Sequence, residues 1–75
     1  MPINNFEFII GSPTDREKLI CEIYYKEKII AELSQETTDL ILEIYPLKEN
    51  QYWIVPLDEF QNALEFAKNH LLSTK

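Results

Sequence analysis

The alternation of apolar and polar residues through most of this chain is the feature that most constrains its fold. Alternating segments rich in β-branched and aromatic residues are typical of half-buried strands. The segments of this kind are residues 6–10, 19–25, 29–35 and 39–45. Short polar breaks separate them, so successive strands are expected to pair as antiparallel hairpins. Residues 52–55 are predicted to form a fifth strand, whose pattern leaves open which alternate pair faces the core, Trp53 with Val55 or Tyr52 with Ile54.

The periodicity changes at the C-terminal end of the chain. Residues 57–72 carry apolar side chains at helical spacing, and this predicts an amphipathic helix with one apolar stripe. Asp58 is predicted to cap its N-terminus, because Gln61 completes a capping box. The sequence therefore predicts an α+β fold: an antiparallel β-meander of four to five strands with one C-terminal α-helix packed on one face.

The length of 75 residues suits a single domain, residues 1–75. A chain this short buries only about 60% of its unfolded surface, so one sheet covered by one helix is the natural architecture. The side chains expected to share the core lie on one face of each strand and on the helix stripe. They are Phe6, Phe8, Ile10, Ile23, Leu33, Leu42, Ile44, Phe60, Leu64, Ala67 and Leu71.

Burial of one sheet face fixes how the central strands pair, because a slip of one residue would turn every side chain to the opposite face. The register that keeps Ile23 beside Ala31 also places Glu22 opposite Glu32. The same requirement on the next pair of strands places Glu43 opposite Glu32. Opposed like charges are unfavourable by some tenths of a kcal/mol, which core burial at about 25 cal/mol per Å² outweighs. The sequence thus predicts a glutamate row, Glu22–Glu32–Glu43, on the helix-free face.

Apolar and aromatic residues surround the glutamate row, and this composition is frequent at protein contacts. We therefore predict that this face binds a protein partner. The predicted contact residues are Glu22, Tyr24, Ile30, Glu32, Ile41, Glu43 and Tyr45. Two alternatives stay open. In the first, the glutamates are simply the solvated positions of a half-exposed sheet. In the second, the N-terminal segment or the loop of residues 11–18 folds over this face.

The charge balance limits the classes of partner. Thirteen acidic and seven basic residues give a net charge of −6, which repels nucleic acid and favours a basic protein. No apolar run approaches the roughly 18 residues of a membrane span. The N-terminus lacks the pattern of a signal peptide. A cytoplasmic protein that contacts neither membrane nor nucleic acid is expected.

Residues that usually carry catalysis are scarce. Cys21 is the only cysteine and is expected on the inward face of a strand, where a thiol is usually inert. His70 is the only histidine and lies late in the helix, where a cation complements the helix dipole. Gly11 is the only glycine, and a phosphate-binding loop needs several, so no such loop is expected. Gly11 itself is expected to supply a positive φ. No catalytic, cofactor or metal site is predicted, although a hard cation on the glutamate row is a weaker alternative.

Three stretches within residues 15–68 carry a resemblance: "DREKLICEIYYKEKIIAELSQE", "LEIYP" and "PLDEFQNALEFAK". They resemble a family of small uncharacterised bacterial single-domain proteins. In size and acidity the chain is also similar to toxin-neutralising immunity proteins. The predicted function is a non-enzymatic protein-binding module, an inhibitor or immunity-type protein for a basic partner. The alternative is a structural homo-oligomer, a dimer that associates through the open sheet face or edge.

Overall fold

Four strands form one antiparallel sheet, and a single helix follows them. This arrangement is seen in a computed structural model that describes residues 5–74. The elements are β1 (Phe6–Gly11), β2 (Ile20–Tyr25), β3 (Lys28–Ser34), β4 (Ile41–Ile44) and α1 (Leu57–Ser73). The strands lie side by side in chain order, β1-β2-β3-β4. The predicted α+β meander is therefore confirmed, with four strands.

The predicted register of the central strands is confirmed. Ile23 pairs with Ala31, and Glu22 pairs with Glu32. On the other side of β3, Glu32 pairs with Glu43. The glutamate row that the alternating pattern predicts is therefore present in the sheet.

The hairpin between β2 and β3 turns through two residues with positive φ, Lys26 at 49° and Glu27 at 71°. Two successive left-handed residues are typical of the tight turns whose twist matches a hairpin. The prediction that Gly11 supplies a positive φ is wrong, since no described glycine has one. Gly11 instead ends β1 in regular pairing with Ile20.

A β-bulge interrupts the pairing of β2 with β3. Ile23 pairs with Ala31 whereas Tyr24 pairs with Ile29, so Ile30 is an extra residue on β3. Ile30 is 2% exposed and belongs to the core cluster. Ile30 was predicted to be accessible to a partner on the helix-free face, but in the structure it is buried.

The helix covers only part of one sheet face. It packs against β2 and β1, and two aromatic contacts hold it there. Phe60 stacks on Phe6 with ring centroids 6.3 Å apart, and Phe66 lies 4.6 Å from Phe8. A helix is about 10 Å across with its side chains, whereas four strands spaced about 4.8 Å apart are wider. The β4 side of this face is consequently left without cover.

Two residues predicted for the core are exposed for this reason. Leu42 is 36% exposed and Ile44 is 60% exposed, although both were expected beneath the helix. The buried core instead concentrates on β1, β2, β3 and the buried stripe of α1. Its members are Phe6, Cys21, Ile23, Tyr25, Ile30, Ala31, Leu33, Ala63, Ala67 and Leu71. The other predicted core residues, Phe8, Ile10, Phe60 and Leu64, are partly buried against this cluster.

Residues 52–55 do not form the predicted fifth strand. The segment carries the chain from the end of β4 to the start of α1, and within residues 5–74 no strand pairs with the outer edge of β4. Trp53 and Val55 pack against the core, and the indole N–H of Trp53 donates to the C=O of Tyr45 at 2.7 Å. Tyr52 and Ile54 are more than 80% exposed, at 81% and 84%. The orientation left open by the sequence is thus settled in favour of Trp53 and Val55.

The helix begins two residues earlier than a cap at Asp58 predicts. Pro56 occupies the N-cap position without a side-chain hydrogen bond, so the predicted cap by Asp58 is wrong. Pro56 accepts the first helical bond from the N–H of Phe60 at 3.0 Å. Asp58 lies within the first turn, where its charge still complements the helix dipole. Within residues 5–74, no helix combines the length and apolar character needed to cross a membrane.

Candidate protein-contact surfaces

The glutamate row is bridged by a cation from the loop between β1 and β2. We refer to this loop, residues 12–19, as the strap. The Nη2 atom of Arg16 lies 2.8 Å from Oε2 of Glu32 and 2.8 Å from Oε1 of Glu43. Glu32 is only 7% exposed. The row is therefore a bridged polar cluster rather than an open line of like charges.

Two tyrosines complete the polar cluster. The hydroxyl of Tyr45 donates to Oε1 of Glu32 at 2.9 Å, and the hydroxyl of Tyr24 donates to Oε1 of Glu22 at 3.2 Å. The hydrogen bond to Glu32 is the main cause that raises the pKa of Tyr45. The charge of Glu22 is the main cause that raises the pKa of Tyr24. Both phenols therefore stay protonated and act as donors at neutral pH.

Arg16 supplies the positive charge in this cluster. Partial removal from water lowers the pKa of Arg16, but the charges of Glu32 and Glu43 outweigh this and raise the pKa overall. Its guanidinium is thus always charged. The repulsion expected from opposed carboxylates is offset by a side chain that lies 16 and 27 residues from its two partners in sequence.

The strap is also fixed by polar contacts from the end of β3. The carboxylate of Glu36 accepts hydrogen bonds from the backbone N–H groups of Glu17 at 3.2 Å and Lys18 at 2.9 Å. The side-chain amide of Gln35 donates to the C=O of Leu19 at 3.1 Å. The alternative in which the loop of residues 11–18 folds over the glutamate row is therefore supported by direct contacts.

These contacts change the status of the predicted partner-binding residues. Ile30 and Glu32 are buried, so neither is available to a partner. Ile41 is 43% exposed, and the side chain of Glu43 is 53% exposed. The remaining residues are half-buried: Glu22, Tyr24 and Tyr45. The accessible part of the predicted surface is consequently concentrated on β4.

A second surface lies on the helix side of β4. A groove of about 620 Å³ separates β4 from α1. Its apolar lining is formed by Leu33, Leu40, Leu42 and Leu64. Asp39, Glu65 and Lys68 also line it and supply charge. We refer to this feature as the β4 groove.

The unpaired edge of β4 borders the β4 groove. The backbone N–H of Tyr45 donates to the C=O of Ile30 at 2.9 Å, which places residue 45 in a hydrogen-bonded pair with β3. Backbone groups alternate along an antiparallel strand. Leu42 and Ile44 therefore direct their N–H and C=O groups away from β3. β4 thus offers unused hydrogen-bonding groups beside exposed apolar side chains.

Sequence patterns do not identify the β4 groove. Leu42 and Ile44 follow the same alternation as the buried residues of β2, so the pattern marks them as core. Their exposure depends on where the helix lies across the sheet. The usable signal was the mismatch in width between one helix and four strands.

The nucleophilic and metal-binding groups are poorly placed for chemistry. Cys21 is 0% exposed, and burial is the main cause that raises the pKa of its thiol to about 11. His70 stacks on Phe66 with ring centroids 5.6 Å apart. In the described part of the chain, no group of three His, Cys, Asp or Glu side chains could hold a metal ion. Between Glu32 and Glu43 lies the Arg16 guanidinium.

These surfaces offer apolar side chains, outward-facing strand backbone and fixed charge. The resemblance to small bacterial proteins and to immunity proteins stays a prediction. Comparisons with protein-family models, with curated proteins and with solved structures find no match to this chain.

Proposed function

We propose that this chain is a non-enzymatic protein-binding module that holds a basic partner at the β4 groove, as an inhibitor or immunity-type protein would. One observation carries the proposal: apolar side chains of β4 stay exposed beside a groove that the helix leaves uncovered. Leu42 is 36% exposed and lines the groove, and Ile44 next to it is 60% exposed. Contiguous exposed apolar surface rimmed by polar groups marks protein contacts.

The charge of the chain supports a basic partner. The net charge is −6, and the charged residues that line the β4 groove are two acids, Asp39 and Glu65, and one base, Lys68. Arg16 offsets only part of the negative charge of the glutamate row. Glu43, on the helix-free face of β4, keeps about half of its side chain exposed to solvent. A negative electrostatic field attracts a basic surface and speeds association.

The two kinds of group act at different stages of binding. Acidic side chains guide a basic partner toward β4, and this step weakens as salt screens the charges. Burial of Leu42 and its apolar neighbours then slows dissociation. Substitution of Glu65 is therefore expected to slow association, and substitution of Leu42 to speed dissociation.

Affinity capture from the native cell tests the proposal. Wild-type chain and the variant Leu42→Gln are immobilised, and captured proteins are identified and then bound in purified form. The matched control is Ile9→Gln, because Ile9 is 49% exposed on the opposite edge of the sheet. We expect a basic protein that binds wild type and Ile9→Gln but binds Leu42→Gln at least about tenfold more weakly.

Salt dependence supplies the second criterion. The affinity of the captured protein is expected to fall as ionic strength rises from about 0.01 M to about 1 M, because the Debye length falls from about 30 to about 3 Å. A partner that binds wild type and Leu42→Gln equally would contradict the proposed surface. A partner whose affinity does not change with salt would contradict its proposed basic character.

A further inference from the structure

Sheet proteins usually prevent edge pairing with very short edge strands, charged side chains, proline, bulges or a covering element. Of these features, the edge of β4 has its length of four residues and the charge of Glu43. The only charged residue of β4 is Glu43, and β4 pairs with β3 without a bulge. Ile41, Leu42 and Ile44 are all exposed. From this edge we propose that two copies of the chain pair through β4, in an antiparallel register centred on Leu42.

Symmetry restricts the way in which two copies of β4 can pair. A strand that pairs antiparallel with its own copy has a two-fold axis perpendicular to the sheet, so both helices lie on the same face. Residues directly opposite each other then point to the same face. Two central registers satisfy this condition: one has the axis at Leu42 and the other has it at Glu43.

The charge on β4 decides between these two registers. With the axis at Glu43, this carboxylate faces its own copy across a non-hydrogen-bonded pair, with Cα atoms about 4.5 Å apart. Like charges in that position are destabilising. With the axis at Leu42, Glu43 lies opposite Ile41 of the second copy instead. On the helix side, Leu40 then lies opposite Ile44. Of these two central registers, the one centred on Leu42 keeps the two carboxylates apart.

The backbone favours the same register. Leu42 directs its N–H and C=O away from β3, as derived above from the Tyr45 to Ile30 bond. Leu42 can therefore exchange both hydrogen bonds with its own copy at the axis. The pairing uses the backbone edge of β4, whereas the β4 groove lies between β4 and α1. It thus goes beyond the proposed binding of a basic partner and does not depend on it.

Self-pairing has a salt dependence opposite to that of a basic partner. Each copy carries a net charge of −6, so the two copies repel each other at low ionic strength. Salt screens this repulsion. The dimer is therefore expected to strengthen as salt is added.

Sedimentation of the purified chain tests whether the dimer forms. We expect a monomer–dimer equilibrium that shifts toward dimer between about 0.01 M and about 1 M salt. Leu42→Lys places two cations at the axis and is expected to give monomer. Ile9→Lys makes the same change of charge on the opposite edge and is expected to stay dimeric. A wild-type chain that is monomeric up to about 1 mM, or loss of the dimer in Ile9→Lys as well, would overturn the proposal.

Disulfide trapping tests the register. Native Cys21 is buried and serves as an internal reference. Under mild oxidation Leu42→Cys is expected to form a covalent dimer, because paired Cα atoms about 5.5 Å apart fit disulfide geometry. Ile44→Cys is the control: position 44 is more exposed, but in this register its two copies are too far apart to bridge. Equal trapping at both positions, or trapping only at position 44, would overturn the register.

Discussion

The two edge strands of the sheet, β1 and β4, follow the same alternating pattern but have different surroundings. On β1 the helix side is covered: Phe6 is 7% exposed, and Phe8 packs on Phe66 of α1. On β4 every residue is exposed, including Leu42 and Ile44 on the same face. Alternation reports which side chains share a face. The position of the single helix decides which half of that face becomes core.

The unequal cover explains how a small domain acquires a contact surface. One helix cannot span four strands, so apolar residues selected to suit a sheet remain exposed on the uncovered half. The β4 groove follows from this shortage of cover and requires no special motif. The following predictions test the contrast between the covered and uncovered halves.

The largest contrast is expected between two leucines that lose the same atoms. Leu71 is 0% exposed, so Leu71→Ala should lower the free energy of unfolding by about 2–5 kcal/mol. Leu42 is already 36% exposed in the single chain, so at a concentration where the chain is monomeric Leu42→Ala should lower it by less than about 1 kcal/mol. Urea denaturation with an unchanged m-value measures both. Equal losses would mean that something covers Leu42 in solution.

A smaller contrast is expected between the two carboxylates that contact Arg16. Glu32→Gln should destabilise the fold by about 1.5–3 kcal/mol, because it weakens buried hydrogen bonds to a charged group. Glu43→Gln should cost less than about 1 kcal/mol, because that side chain is 53% exposed. If repulsion between the opposed glutamates acted without Arg16, Glu32→Gln would relieve it and raise the free energy of unfolding. Such a gain in urea denaturation would show that the Arg16 contacts do not form.

The effect of Cys21 is confined to alkaline pH and is absent at neutral pH. The unfolded thiol ionises near its ordinary pKa of 9.0, whereas burial raises the folded pKa to about 11. The unfolded chain therefore loses its proton first, so stability should decline as pH rises from 9 to 11 and should not depend on this thiol below 9. The raised pKa values of Tyr24 and Tyr45 act in the same direction.

Cys21→Ala separates the thiol from the tyrosines. The variant is expected to retain the decline caused by Tyr24 and Tyr45 and to lose the part caused by Cys21. The measurement is the free energy of unfolding in urea at several pH values, compared with wild type. Identical pH profiles for the two proteins would mean that the Cys21 thiol is not protected by the fold.

The parts of the fold that could be predicted from sequence depend on local periodicity. Alternation in β2, β3 and β4 requires Glu22, Glu32 and Glu43 to align, since any slip would expose the core. The helix stripe was equally local, although its N-terminal cap was misplaced because Pro56 takes the capping position.

The parts that could not be predicted depend on contacts between distant segments. Ile30 lies in a run of apolar residues that suits either phase, so the bulge is invisible in the pattern. Arg16 reaches Glu43 across 27 residues of chain, and nothing local to either residue indicates the contact. The β4 groove depends on the lateral position of α1, which aromatic contacts such as that between Phe8 and Phe66 determine.

The construction of the strap also has a consequence for motion. Between Arg16 and Lys18 it is fastened by hydrogen bonds and ion pairs to carboxylates, and these three residues contribute nothing to the core cluster. Segments with few buried apolar contacts open locally at a lower free energy than global unfolding requires. We therefore expect residues 16–18 of the strap to lift while the sheet and helix stay folded. During each opening, Glu32 loses its cation, so the negative field of this face fluctuates in time.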